Sequence, residues 1–257
     1  GYFPDISNGQ HTDFFFMKQE EPEKVAETIV SLVRDRLPKA YRQPAANIQV
    51  LTPMQRGVVG AANLNMALQQ ALNHNTAALV RGGYTYKEGD RVMQLRNNYD
   101  KDVYNGDLGY VHSVDMEERT LTVDFDGKLV EYEVSELDEL TLAYATTIHK
   151  SQGSEYPIVV MPVLMTHYVM LQRNLIYTGI TRAKKICVLV GQTKALAYAI
   201  HNMKVLKRNT RLKERLAPTA TDSIATALNS AQQYALPTEE ILMAAEDRVQ
   251  YGDKGKP

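Results

Sequence analysis

Apolar residues recur along this chain with two periods, and the switch between them marks its organisation. Val25, Ile29, Val33 and Leu37 fall four apart, which predicts a helix over 20–37 with one buried face. Pro22 suits the first turn of that helix, and Glu20, Glu21 and Glu23 suit its positive end. Just before it, Phe14, Phe15, Phe16 and Met17 predict a short strand. Ile48–Thr52 predicts a second strand, followed by a loop over 53–57 and a helix over 58–73 that buries Leu64, Leu68, Ala71 and Leu72. From residue 89 the apolar period drops to two. Short strands are predicted at 89–95, 109–114, 120–125 and 129–134, with turns at 105–107, 116–119 and 126–128. Asp126-Gly127 between two alternating runs is a hairpin signal.

The longer period then returns. An apolar run (Leu140, Leu142, Ala143, Ala145) predicts one buried strand. A strand at 158–163, a helix near 168–181, a strand at 186–190 and a helix at 194–202 follow. Strands alternating with helices predict a mainly parallel sheet. The expected fold is α/β, a parallel sheet with helices on both faces, carrying an inserted small β-barrel of SH3 type. Beyond residue 208 the signal weakens. Asp222 and Thr238 each suit a helix cap, and no function attaches to this tail.

The 257 residues suffice for one large domain or two smaller ones. There is no run of 18 apolar residues and no charged-then-apolar leader, so neither a membrane span nor a signal peptide is expected. The single cysteine, Cys187, lies in an apolar run and reads as a small core residue, which fits a cytosolic compartment. Net charge is −1, unevenly spread. Between residues 142 and 215 the acids are only Glu155 and Glu214 against a dozen basic residues, whereas residues 84–140 carry acidic clusters. A polyanion partner fits the basic segment. So does a folded surface on which the opposite charges neutralise one another.

Chemistry concentrates in residues 147–155, T-I-H-K-S-Q-G-S-E. A hydroxyl, an imidazole, an ammonium, an amide, a glycine and a carboxylate within nine residues, following a core strand, exceed what a simple turn needs. Arg56, with Gln55, sits where a strand ends and a helix begins, and an arginine there suits a phosphate or an ordinary surface. Arg173 and Arg182 are nine residues apart, so at about 100° per residue they point to opposite sides of a continuous helix. Arg182, where that helix runs out, is the better phosphate contact; Arg173 is structural or DNA-facing. Histidines and the lone cysteine show no metal-ligand spacing, and no metal site is expected. Tyr99 and Tyr104 suit base stacking or ordinary packing.

Five blocks then occur in order: L-T-P-M-Q-R-G (51–57), G-D-R-V-M-Q-L-R-N-N (89–98), N-G-D-L-G (105–109), T-I-H-K-S-Q-G-S-E (147–155) and Y-T-G-I-T-R-A (177–183). Together, over roughly residues 1–215, they resemble the C-terminal half of a RecD-like superfamily 1 DNA helicase, the exodeoxyribonuclease V alpha-subunit family. The resemblance implies the second of two RecA-like domains, at 1–98 and 140–208, with the SH3-like insert at 99–139 and an extension at 209–257. Gln55-Arg56 resembles helicase motif IV, residues 147–155 motif V and the T-R-A block motif VI. By resemblance Thr147, His149 and Lys150 contact single-stranded DNA, and Gln55, Gly153 and Glu155 the nucleotide. Arg56 and Arg182 contact the ATP phosphates, with Arg182 as the arginine finger. If the insert touches DNA, it does so through an edge bearing Arg96, Asn97, Asn98 and Asn105.

The implied cofactors are ATP and Mg²⁺, bound mainly by a first RecA-like domain outside this chain, because no G-x-x-x-x-G-K-[ST] occurs in it. The fragment alone is then expected to be inactive. The implied partners are single-stranded DNA, that first domain and other exonuclease V subunits, in the bacterial cytoplasm, with 5′–3′ movement. Thr146 and Gly179 depart from the family's more usual apolar and alanine-like residues. Two other readings remain: the helicase part of a conjugative relaxase, and a non-catalytic module that docks DNA or protein.

Overall fold

The computed structural model describes residues 13–202. The expectations for the first residues, for Lys204 and the basic residues after it, and for the tail with Asp222 and Thr238, lie outside the described residues. In chain order the elements are β1 (Phe14–Lys18), α1 (Pro22–Ser31), α2 (Leu37–Tyr41), β2 (Ile48–Thr52), α3 (Ala61–Leu72), β3 (Ala78–Arg81) and β4 (Tyr84–Lys87). Then come β5 (Arg91–Gln94), β6 (Leu108–Asp115), β7 (Thr120–Phe125), β8 (Lys128–Glu133), β9 (Leu140–Leu142) and β10 (Ala145–Thr147). Last are β11 (Tyr156–Val163), α4 (Arg173–Ile180), β12 (Ala183–Gly191) and α5 (Thr193–His201).

The first sheet is five-stranded in the order β1-β12-β11-β2-β10, and every pairing in it is parallel. Its strands read as continuous apolar runs because both faces are covered. On one face Val50, Val160 and Val188 pack with Val25 and Ile29 of α1 and Leu64 and Leu68 of α3. On the other, Leu51, Val159 and Met161 pack with Leu175 and Ile176 of α4 and Leu196 of α5. The expected α/β sheet with helices on both faces is what the chain builds. The helix predicted over 20–37 begins at Pro22 and runs further, through a π turn at Leu32–Arg36 into α2. Leu37 N–H donates to Leu32 O across that turn. Pro38 follows at once; with no N–H to give, it suits the place where the helical ladder is already broken.

The second sheet is antiparallel, in the order β8-β7-β6-β5-β9, and β3 with β4 forms a separate hairpin. Among the described residues no pairing joins β8 to β9, so the small β-sheet expected of SH3 type is present but no closed barrel is found. Its strands reach from Arg91 to Leu142, beyond the expected 99–139 on both sides, because β5 and β9 supply the pairing for one flank. Asp126-Gly127 makes the predicted hairpin turn, with both residues at positive φ (52° and 93°).

The apolar run at 140–145 is not one strand. Leu140–Leu142 belongs to the antiparallel sheet and Ala145–Thr147 to the parallel one, with two residues between them. Buried amides hold this crossing. Asn65 of α3 donates to Leu142 O and Ala145 O and accepts from Ala145 N–H. Gln49 of β2 donates to Ala143 O and Tyr144 O. Backbone groups between two sheets would otherwise be buried without partners. Below the crossing lies a second buried polar centre. The fully buried Asp90 carboxylate accepts from Gln69 and Asn73 of α3, Tyr144 Oη and Lys87 N–H. One side chain thus pins the insert to the parallel domain.

Candidate functional site

Register decides where each site residue stands. Thr147 lies level with Thr52 at the C-terminal ends of β10 and β2. Tyr156 lies level with Ala183 at the N-terminal ends of β11 and β12. Residues 148–155 therefore cross the sheet from one edge to the other, roughly 16 Å for five residues of β2 at about 3.3 Å each. The crossing is fixed from below. Ile148 and Ser151 are fully buried, Ile148 N–H donates to Thr52 O, and Ser151 Oγ donates to Ile148 O. Thr147 Oγ1 accepts weakly from Lys150 N–H at 3.4 Å. His149, Lys150, Gln152 and Gly153 are left facing outward. Gly153 has φ +89°, with nothing within 4 Å of where a Cβ would sit, so the loop lies open there.

The far end of the loop is tied to the residues after α4. Arg182 Nη1 donates to Ser154 O at 3.0 Å and Nε to Thr178 O at 3.3 Å. Tyr156 N–H donates to Arg182 O, and Glu155 pairs with Lys184 at 3.3 Å, both exposed. Arg182 lies just past the end of α4, as expected. Arg173 is its first residue, so the two do not share a continuous helix.

The near end gathers a different set. Gln55 and Lys150 line one cavity of about 190 Å³ together with Arg81 and Tyr84 of the β3–β4 hairpin. Although its side chain is exposed at the surface, partial desolvation against the cavity wall lowers the Lys150 ammonium below its ordinary pKa. Arg56, next to Gln55, is exposed at this same C-terminal edge. Arg56 and Arg182, both expected on the phosphates, thus stand at opposite edges of the sheet. Sequence spacing could not show this, because β2 and β12 run parallel while one arginine follows its strand and the other precedes it.

Asn97, Asn98 and Asn105 come together, but within their own loop. Asn97 Oδ1 accepts from Asn105 N–H, Asn98 Oδ1 from Lys101 N–H, and Asn98 Nδ2 donates to Glu139. Gly60 was missed by sequence reasoning. A Cβ there would lie 2.4 Å from Arg56 C and 2.5 Å from Arg56 O, so only glycine lets α3 start against the Gln55-Arg56 loop. Arg91 was missed too. It lies over the rings of Tyr110 and Tyr156, at 6.0 and 5.7 Å, joining the insert to the strand after the loop. Of the two departures, Thr146 buries a hydroxyl without a partner, and Met161 Sδ occupies the space a Cβ at Gly179 would take. Among the described residues no group of three or more His, Cys, Asp or Glu is placed to hold a metal. Nor is any helix long and apolar enough to cross a membrane.

Residues 64–125 match the family model described as the ATP-dependent RecD-like DNA helicase SH3 domain. Residues 142–190 match the UvrD-like helicase C-terminal domain. The chain is similar to the ATP-dependent RecD2 DNA helicase of Deinococcus radiodurans, 38% identical over 196 residues, covering 76% of this chain and 26% of that protein. It is similar to the RecBCD enzyme subunit RecD of Mycolicibacterium smegmatis, 30% identical over 170 residues, covering 66% of this chain and 29% of that protein. Among solved structures, a Pif1 helicase from Bacteroides in complex with ADP-AlF3 and ssDNA matches at TM-score 0.44 and 19% identity, over 72% of this chain and 52% of that one. The chain spans between a quarter and a third of the length of these two relatives.

Proposed function

This chain belongs to the RecD-like family of DNA helicases, and on that premise we propose that it is the second motor domain of an ATP-driven 5′–3′ helicase that moves on single-stranded DNA. The observation that carries the reading is the loop 148–155, which runs from one edge of the parallel sheet to the other. Its first half, with Thr147, His149 and Lys150, takes the DNA strand. Its second half, with Gly153 and Glu155, faces the nucleotide beside Arg182. A rigid segment that ends on both ligands converts domain closure on one into displacement of the other.

Arg182 suits the arginine finger. Ser154 O and Thr178 O hold its guanidinium at the sheet edge, which leaves donors free to point outward. ATP, with Mg²⁺, supplies the transferable phosphoryl group, held mainly by a P-loop domain outside these 257 residues. The present chain without that domain is inactive on this reading. Arg56, at the other edge, fits a DNA phosphate better than one shared with Arg182. The cellular role is DNA recombination and repair in the bacterial cytoplasm, with other exonuclease V subunits as candidate partners.

The test is a pair of affinities in the full-length protein. His149→Ala is expected to weaken binding of a labelled oligo-dT about tenfold, the scale of one lost base contact, and to leave ATP binding near wild type. Weakened ATP binding with unchanged DNA binding would reverse the assignment of the two halves.

A further inference from the structure

The cavity beside Lys150 has a composition that the reading above does not use. Gln55 lies on the loop after β2 and Lys150 on the crossing loop. Arg81 and Tyr84 flank the tip of the β3–β4 hairpin, and Leu95 and Asp138 close the wall on the antiparallel sheet. Two cations, one carboxylate, an amide and two tyrosines, of which Tyr86 is buried, line about 190 Å³, and they include what a single nucleotide needs: charge for phosphate, a ring for the base, a polar group for its edge. The volume corresponds to a handful of waters at about 30 Å³ each. That is room for one flat ring and not for a base pair.

The charges are available. Arg81 pairs with Asp138 at 2.9 Å, but both side chains are about half exposed, at 42% and 51%, and such a pair stabilises little. A phosphate can therefore take over the guanidinium. Lys150 has no ion-pair partner among the described residues and is exposed at the cavity mouth, so its ammonium is free to meet an anion there, and partial desolvation adds to the gain. The hairpin projects toward solvent, with Val80 64% exposed. The side chains of Asn97 and Asn98 are by contrast engaged, Asn97 with Asn105 N–H and Asn98 with Lys101 N–H and Glu139.

We propose that this cavity seats one nucleotide of the single strand, with Lys150 and Arg81 on its phosphate, Tyr84 against its base and Gln55 at its polar edge. DNA is thus met through the β3–β4 hairpin beside the antiparallel sheet. The proposal rests on the helicase reading and is tested separately from it, by anisotropy of labelled oligo-dT on the full-length protein across a salt series. Tyr84→Ala is expected to weaken binding about tenfold with an unchanged salt slope. Tyr84→Phe is expected to bind like wild type, and a Phe variant as weak as the Ala variant overturns the stacking role. Arg81→Ala is expected to weaken binding and flatten the slope of log K against log salt by about 0.7, one single-strand phosphate contact. Asp138→Asn, which breaks the same ion pair but frees the arginine, is expected to bind at least as tightly as wild type. If Asp138→Asn loses as much as Arg81→Ala, the ion pair is structural and the proposal falls. If His149→Ala weakens DNA binding while Tyr84→Ala and Arg81→Ala do not, the cavity is wrong and the helicase reading stands. If none of the three matters, the DNA assignment itself fails.

Discussion

Asp90 shows how a single side chain can set the geometry of two domains. Four donors from α3, Tyr144 and the β4–β5 turn converge on a carboxylate with no solvent contact. Asp90→Asn keeps the shape but turns one acceptor into a donor facing donors. It is expected to cost about 3 kcal/mol, the scale of buried groups left unpaired, read as a lower urea midpoint at unchanged slope. The pH dependence has a definite sign. Burial raises the Asp90 pKa above the ordinary 3.8, against its hydrogen bonds. Between the unfolded value and the raised folded one, the folded state holds a proton that the unfolded state has released. Stability from this group therefore falls as pH rises through that window, and Asp90→Asn removes that part of the slope. Gly60 acts at the opposite end of α3. Gly60→Ala forces a Cβ into the backbone of Arg56, so the Gln55-Arg56 loop must move. In the full-length protein it is expected to weaken oligo-dT binding several-fold while the melting temperature shifts by only a few degrees. Unchanged affinity would detach that loop from the DNA.

At the scale of elements, strands and turns were legible where local chemistry decides them. Phe14–Met17, Ile48–Thr52 and the Asp126-Gly127 hairpin form as periodicity and turn residues predict. The run 140–145 was not legible as two strands, because an apolar run carries no mark of which sheet receives each part. That information sits 80 residues away in Asn65, whose amide reads the backbone at the crossing. Whether the small sheet closes was not legible for a related reason. Closure depends on whether the first and last strands reach each other, and alternation alone does not encode it. The candidate site was legible as a list and not as a map. Residues 147–155 stood out by composition, yet only register shows that they span the sheet and put Arg56 and Arg182 on opposite edges. The edge bearing Asn97 and Asn98 read as a DNA contact because the partners of these two amides, Asn105 N–H and Glu139, are not visible in the sequence.

At the scale of the whole molecule, the parallel sheet separates two groups of side chains that the proposed function assigns to different ligands. Its C-terminal edge gathers Gln55, Arg56, Thr147, His149 and Lys150, and its N-terminal edge gathers Glu155, Arg182 and Lys184. The β3–β4 hairpin borders the first edge at the cavity it shares with Lys150, and the antiparallel sheet reaches the second through Arg91 over Tyr156. On the proposed reading, coupling between DNA and nucleotide needs only that loop 148–155 stay rigid, and buried Ile148 and Ser151 anchor it. An arginine finger acts on charge that develops only during phosphoryl transfer. Its loss should therefore strike turnover and spare the strand. The direct measurement is DNA-stimulated ATP hydrolysis by the full-length Arg182→Ala protein, with oligo-dT affinity measured in parallel. The expected result is a fall in turnover of about a thousandfold at near wild-type DNA affinity. Near wild-type turnover, or a loss confined to DNA binding, would contradict a nucleotide-facing Arg182 and with it the two-edged reading of the sheet.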